Sequence, residues 1–191
     1  MSITPATGRP RVNDAVVAGA VLVIELLATY GSVNGDPLDP VAGWNTTQPT
    51  DPWAFVIVVV GCAALYWRRA SPLITLSVAT GAYSVFLLRD HEPGMFLAPM
   101  VALHTMASLG YARFHTALAG IVCMSASLWW VHVRTADITD PGVGLLAWVA
   151  FGTVILVFFA GSYVVGELVR CRRLLLTRRD GRTAPEPEPT R

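Results

Sequence analysis

Leu145 to Val165 run without one charged residue and pass unbroken into Gly166-Glu167-Leu168-Val169-Arg170-Cys171-Arg172-Arg173. Few structures satisfy such a stretch. About 20 apolar residues in a helix cross a hydrocarbon core about 30 Å thick, and lipid offers the backbone no hydrogen-bond partner. The run is therefore a membrane helix that leaves the bilayer as a basic helix. That helix then meets Asp180-Gly181 and a tail built from Pro, Glu, Thr and Arg.

Six segments meet or approach spanning length: Asp14 to Val33, Trp53 to Trp67, Pro72 to Leu88, Met95 to Ala112, Phe114 to Val133 and Gly144 to Gly166. Their apolar runs are continuous rather than alternating, which excludes a β-barrel. With 53% hydrophobic and 14% charged residues, the chain is too apolar to cover the surface of a soluble domain. The fold expected is an all-α membrane bundle of six transmembrane helices. The short basic turn Arg68-Arg69-Ala70-Ser71 makes the second and third segments an antiparallel hairpin, with Pro72 opening the third helix. Three regions follow: a cytoplasmic segment over 1–13, the six-helix domain with its exit helix over 14–179, and a disordered Pro/Glu tail over 180–191. Glu25 and the length of the first apolar stretch argue for a retained helix rather than a signal peptide.

Arginine placement orients the bundle. Arg9, Arg11, Arg68, Arg69, Arg113, Arg170, Arg172, Arg173, Arg178, Arg179, Arg182 and Arg191 fall on one set of connections, and only Arg89 and Arg134 on the other. The second set is acidic, with Asp36, Asp39, Asp51, Asp90, Glu92, Asp137 and Asp140. Both termini are thus expected in the cytoplasm of a bacterial cell, with the protein in the plasma membrane. The outer loop 34–52 is expected to cap the bundle, with Trp44 and Trp53 at headgroup level. Trp129 and Trp130 read as an outer interfacial belt.

Glu25 and His104 form the candidate intramembrane polar site. A carboxylate in mid-span is costly, so Glu25 has to face the bundle, be protonated or find a partner. Its neighbours Ala18, Val21, Leu22, Ala28, Thr29 and Ser32 make a face of small and hydroxylated residues. His104 shares its face with Val101, Ala107, Ser108 and Tyr111, and a Glu25–His104 contact would satisfy both. A structural and a functional role for the pair remain open alternatives. Pro99 is expected to kink the fourth span. Ser77 with Gly81, Ala119 with Cys123 and Ser127, and Ser162 with Gly166 have the spacing of close helix contacts. Cys62, Cys123 and Cys171 show no metal or redox spacing, and the remaining histidines, His91, His115 and His132, form no ligand set. Neither a phosphate-cradling loop, nor paired catalytic carboxylates, nor a hydrolase triad order is present. The expectation is no enzyme, no metal, no cofactor and no nucleic-acid partner.

The order of features resembles the N-terminal membrane region of sensor histidine kinases from high-GC Gram-positive bacteria, the class that partners LuxR/NarL-type regulators. Arg68-Arg69-Ala70-Ser71-Pro72-Leu73 is similar to the basic turn and proline that open that family's third span. Val101-Ala102-Leu103-His104-Thr105-Met106-Ala107 resembles its fourth span, where Tyr commonly stands in place of His104. Gly166 to Arg173 is similar to its exit helix. The resemblance implies a sensor module of a two-component signal-transduction system, with Gly166, Glu167, Leu168, Arg170, Arg172 and Arg173 as a coupling helix. In that family the exit helix leads to a phosphoacceptor His and an ATP-binding domain. Here no His follows His132, so kinase activity is not carried over. The expected function is a non-catalytic membrane sensor or regulatory module acting through a partner, either a second copy or a separate histidine kinase, besides the bilayer itself. Leu168, Cys171 or Arg172, and Leu175 have near-heptad spacing suited to one partner helix. The competing expectation is a small transporter or channel subunit using Glu25 and His104.

Overall fold

In a computed structural model, which describes residues 12–34, 40–92, 94–110 and 112–182, the apolar segments form six α-helices. They are α1 (Val12–Asn34), α2 (Pro52–Ala64), α3 (Pro72–Leu88), α4 (Leu97–Leu109), α5 (Arg113–Thr135) and α6 (Pro141–Arg182), with a 3-10 turn over Leu65–Trp67 closing α2. The described residues are otherwise loop, so the fold is all-α. α1, α5 and α6 are long and apolar enough to cross a membrane, and α2, α3 and α4 are shorter apolar helices.

Local chemistry sets most helix ends. Asp51 caps α2, its carboxylate accepting from the Ala54 N–H at 3.1 Å, and Pro52 and Pro72 occupy the first turns of α2 and α3. Gly110 ends α4 with φ +66°, a left-handed geometry that costs glycine little. α3 starts and stops where the apolar pattern does.

α4 packs chiefly on α6, α2 on α3, and α3 also on α5, while α1 lies along α2. On α1 the buried residues are Asp14, Ala18, Val21, Glu25 and Thr29, one stripe at three- and four-residue spacing. Of the face expected around Glu25, Ala18, Val21 and Thr29 are buried, Leu22 and Ser32 are half-buried, and Ala28 is exposed. On α5 the stripe Ala119, Cys123 and Ser127 is buried and meets α3, where Ser127 Oγ lies 2.6 Å from Tyr83 Oη. Ser77 and Gly81 face outward instead, and a Cβ at Gly81 would meet nothing within 4 Å.

Of the boundaries that differ from the sequence expectation, two change the reading. α4 begins at Leu97 rather than Met95, which puts Pro99 in its first turn. There a missing N–H removes no intrahelical bond, so Pro99 marks a helix start and not a kink. Met95 and Phe96 belong to a loop that enters the bundle, with Met95 wholly buried against Gly61. α6 continues through Asp180-Gly181 to Arg182. One glycine costs a helix only about 1 kcal/mol, too little to end one already propagating. The Pro/Glu tail over 183–191 and the segment 1–11 lie outside the described residues.

The start of α1, the α2–α3 turn, the α4–α5 turn and the distal part of α6 share one end of the bundle, held by Asp14 with Arg68 (2.9 Å) and Arg69 (3.1 Å) and by Glu167 with Arg113 (3.2 Å). The loops before α2, before α4 and before α6 share the other end.

Gly166 is where α6 comes closest to α4. A Cβ there would sit 2.6 Å from Ala107 Cβ and 2.7 Å from the His104 carbonyl oxygen. Backbone cannot yield as a flexible side chain can, so Gly166→Val should destabilise the detergent-solubilised protein by about 1–3 kcal/mol. Gly152→Ala, with nothing within 4 Å, should be neutral or better. Equal melting temperatures for the two variants would show that the α4–α6 crossing is not close-packed.

Candidate functional site

The first turn of α4 has no cap of its own. Its N-cap residue is Phe96, whose side chain offers no acceptor. The acceptor comes from another helix: Glu25 of α1, fully buried, takes the Ala98 N–H on Oε1 at 2.8 Å. Its other oxygen accepts from Cys62 Sγ at 2.9 Å, which brings in α2. One turn along α1, Thr29 Oγ1 donates to the Glu25 carbonyl at 2.8 Å, and Gly94 packs against Thr29 so closely that a Cβ there would lie 3.3 Å from Oγ1. The carboxylate thus clamps α1, α2 and the start of α4. The positive end of the α4 dipole supplies the electrostatic complement.

His104 is elsewhere. It is half-buried in a groove of about 360 Å³ between α4 and α6, beside Met100, Gly161 and Val165. Both Glu25 oxygens are engaged by Ala98 and Cys62, so the structure does not bring Glu25 and His104 together.

The coupling-helix residues divide into two groups. Gly166 is buried on α4, Glu167 Oε2 accepts from Arg113 (3.2 Å) and Arg170 (3.1 Å), and the Arg170 side chain lies across Gly110. These three grip the bundle. Leu168 is 62% exposed, and Arg172 and Arg173 are exposed.

The opposite end is built around Arg134, which is only 1% exposed. Its guanidinium pairs with Asp90, donates to the Asn45 carbonyl at 3.0 Å and to that of Thr46, and lies 5.3 Å from the Trp130 ring centroid. Asn45 returns its backbone N–H to the Arg134 carbonyl at 3.0 Å, and Trp130 Nε1 donates to the His91 carbonyl at 3.1 Å. One arginine therefore stitches two loops to the end of α5 as a cap. Sequence reading counted it only as a weak topological signal. An arginine among acidic loops, just after a Trp-Trp pair, was the available clue. The tryptophans are corrected too: Trp53 and Trp129 are exposed, but Trp44 and Trp130 are buried, with Trp44 stacked on Phe151 at 5.0 Å.

Asp51 and His91 meet beside this cap. Burial pushes the Asp51 carboxyl upward, but the Arg89 hydrogen bond at 2.7 Å, the Ala54 N–H and the nearby positive charge outweigh it and hold Asp51 below the usual carboxylate range. His91 is 2% exposed and tilted against Phe86, and its Nε2 comes within 3.4 Å of Asp51 Oδ1 without forming a hydrogen bond. Burial lowers its pKa, Asp51 opposes that, and Arg89 adds to the lowering. Among the described residues no group of His, Cys, Asp and Glu is placed to hold a metal ion.

The apolar helices, with a carboxylate and an arginine interred among them, suggest a multi-pass membrane protein. Residues 6–173 match the model of the family described as Domain of unknown function (DUF7134), and the chain belongs to that family. No curated protein and no solved structure matches it.

Removing the Glu25 acceptor leaves the Ala98 N–H unpaired. Glu25→Leu should cost about 1–3 kcal/mol in thermal unfolding, and Glu25→Gln, which keeps a carbonyl acceptor, clearly less. A Leu variant as stable as the parent would mean that the clamp contributes nothing.

His91 sets a pH dependence. Its folded pKa lies below 6.5, so between the two values the unfolded chain binds more protons and stability rises with pH. Acidification from pH 7 to 5 should lower the melting temperature, and His91→Phe should flatten that slope. An unchanged slope in the variant would assign it to other groups. Asp51 acts at lower pH, its contribution being lost as pH falls through its depressed pKa.

Proposed function

We propose that this chain is a non-catalytic sensor or regulatory module of a bacterial plasma membrane, with six spanning helices, both termini cytoplasmic, and output through α6 to a partner helix. The arginine-rich end supports that orientation. The observation that carries the reading is α6 itself. It is one helix of 42 residues, about 63 Å long, roughly twice a hydrocarbon core. Gly166, Glu167 and Arg170 bind it to the bundle at the point where it departs. A shift of α4, whose start is set by Glu25, would reach α6 through the Gly166 crossing.

On the face opposite Gly166 the helix carries an uncovered seam. Val157, Gly161, Val164, Leu168, Cys171 and Leu175 alternate at spacings of four and three, the pattern of a left-handed helix pair. Val157, Val164, Leu168 and Leu175 are each at least 51% exposed, and Gly161 has open space where a Cβ would be. The seam carries no charge, so identical faces would not repel. We take the partner to be a second copy, in keeping with the two-component resemblance.

Native cysteine gives the test. Cys171 is exposed while Cys62 and Cys123 are buried. Mild oxidation of intact membranes should produce a disulfide-linked dimer that Cys171→Ser abolishes and Leu168→Arg strongly reduces. If Cys171 reacts with a maleimide yet the chain stays monomeric on oxidation, the second-copy reading fails. Co-purification of a separate histidine kinase with that monomer would instead point to a heterologous partner.

A further inference from the structure

A cavity of about 160 Å³ lies between α3, α5 and α6, just beneath the cap built around Arg134. Phe96, Trp130, Phe151, Phe158 and Phe159 supply most of its wall, and no charged side chain lines it. Its rings already pack on one another, Tyr83 edge to face with Phe159 at 5.5 Å, Trp130 tilted against Phe151 at 6.3 Å and Phe96 stacked on Phe158 at 5.4 Å. A dry apolar cavity of about 150 Å³ in another protein binds benzene, so this volume suits one aromatic ring or a compact fused pair. Val154 and Phe158, 50% and 40% exposed, form a rim on the flank of the bundle. A neutral molecule can enter there from the apolar phase.

One polar pair marks the wall, and its protons can be followed. Ser127 Oγ donates to the Cys123 carbonyl at 2.7 Å, which uses its hydrogen. The 2.6 Å contact with Tyr83 Oη must then be a donation from tyrosine to serine. That leaves the Tyr83 oxygen with lone-pair capacity and, among the described residues, no donor directed at it. A ligand that supplies an O–H or N–H gains that bond, while a pure hydrocarbon does not.

We propose that this cavity is a binding site for an uncharged aromatic molecule of phenol or indole size, carrying one hydrogen-bond donor that meets the Tyr83 oxygen. The site does not depend on the regulatory reading of α6, because it is defined by walls and an acceptor alone. It does place a ligand against Phe151, Phe158 and Phe159, on the helix that leaves the bundle.

The test uses the full chain in phosphatidylcholine nanodiscs, with phenol, indole and toluene as probes and empty nanodiscs as the partition reference. Equilibrium dialysis should show saturable, one-to-one binding of phenol and indole above partition. Tyr83→Phe should weaken phenol about fivefold, the equivalent of one neutral hydrogen bond of about 1 kcal/mol, and leave toluene unchanged. Ile155→Trp should fill the cavity and remove binding of all three. Uptake that is linear and equal to that of empty nanodiscs overturns the site. An unchanged phenol-to-toluene ratio in a folded Tyr83→Phe protein overturns the donor specificity.

Discussion

The arrangement of the bundle depends on one carboxylate. Helix α4 starts with a phenylalanine at its N-cap, leaving first-turn N–H groups without a side-chain cap of their own. Glu25 brings the acceptor across from α1, and Cys62 of α2 occupies its second oxygen. A buried carboxylate is ordinarily a liability, and so is an uncapped helix start. Here each offsets the other. The loop before α4 can then run inside the bundle, because its backbone is enclosed by protein rather than exposed to lipid.

The two ends of the bundle are built on different principles. At the arginine-rich end, charges sit in local pairs: Asp14 with Arg68 and Arg69, and Glu167 with Arg113 and Arg170. These fix helix termini against adjacent turns. At the other end a single buried cation, Arg134, spends its donors on backbone carbonyls and Asp90 and so organises loops distant in sequence. The first design fastens helix ends pair by pair, whereas the second holds the loops as one cap over the aromatic cavity.

α6 stands apart from the other helices. Most of its surface is uncovered, it is far longer than its neighbours, and it meets the bundle through aromatic rings at Phe151 and Phe159 and through a close polar crossing at Gly166 and Glu167. Its first half walls the aromatic cavity, and the exposed seam runs from Val157 into its second half. The α4–α6 crossing links these halves to the Glu25 clamp. A helix pinned at a close crossing and running on past the bundle can transmit a change of tilt.

Much of this was legible in the residues alone. Continuous apolar runs dictated helices, and α3 ends where its run ends. The small and hydroxylated face of α1 pointed Glu25 inward, because burying a carboxyl in mid-helix leaves no other choice. The stripe of Ala119, Cys123 and Ser127 was readable from spacing, whereas the same logic failed for Ser77 and Gly81, since spacing defines a face but not its neighbour. What Glu25 touches was not legible. Its partner is a backbone N–H more than 70 positions away in sequence, and an N–H carries no residue-type signature. Arg134 is the same case in reverse, a side chain whose partners are mostly carbonyl oxygens. The sequence by itself determined the helices, their apolar faces and the separation of charge between the ends. Only the tertiary structure decided that Glu25 caps α4 rather than meeting His104, that Trp44 and Trp130 turn inward, and that a ring-sized cavity remains beside Tyr83. Helix formation and burial follow from local chemistry, whereas partners and voids depend on how whole surfaces meet.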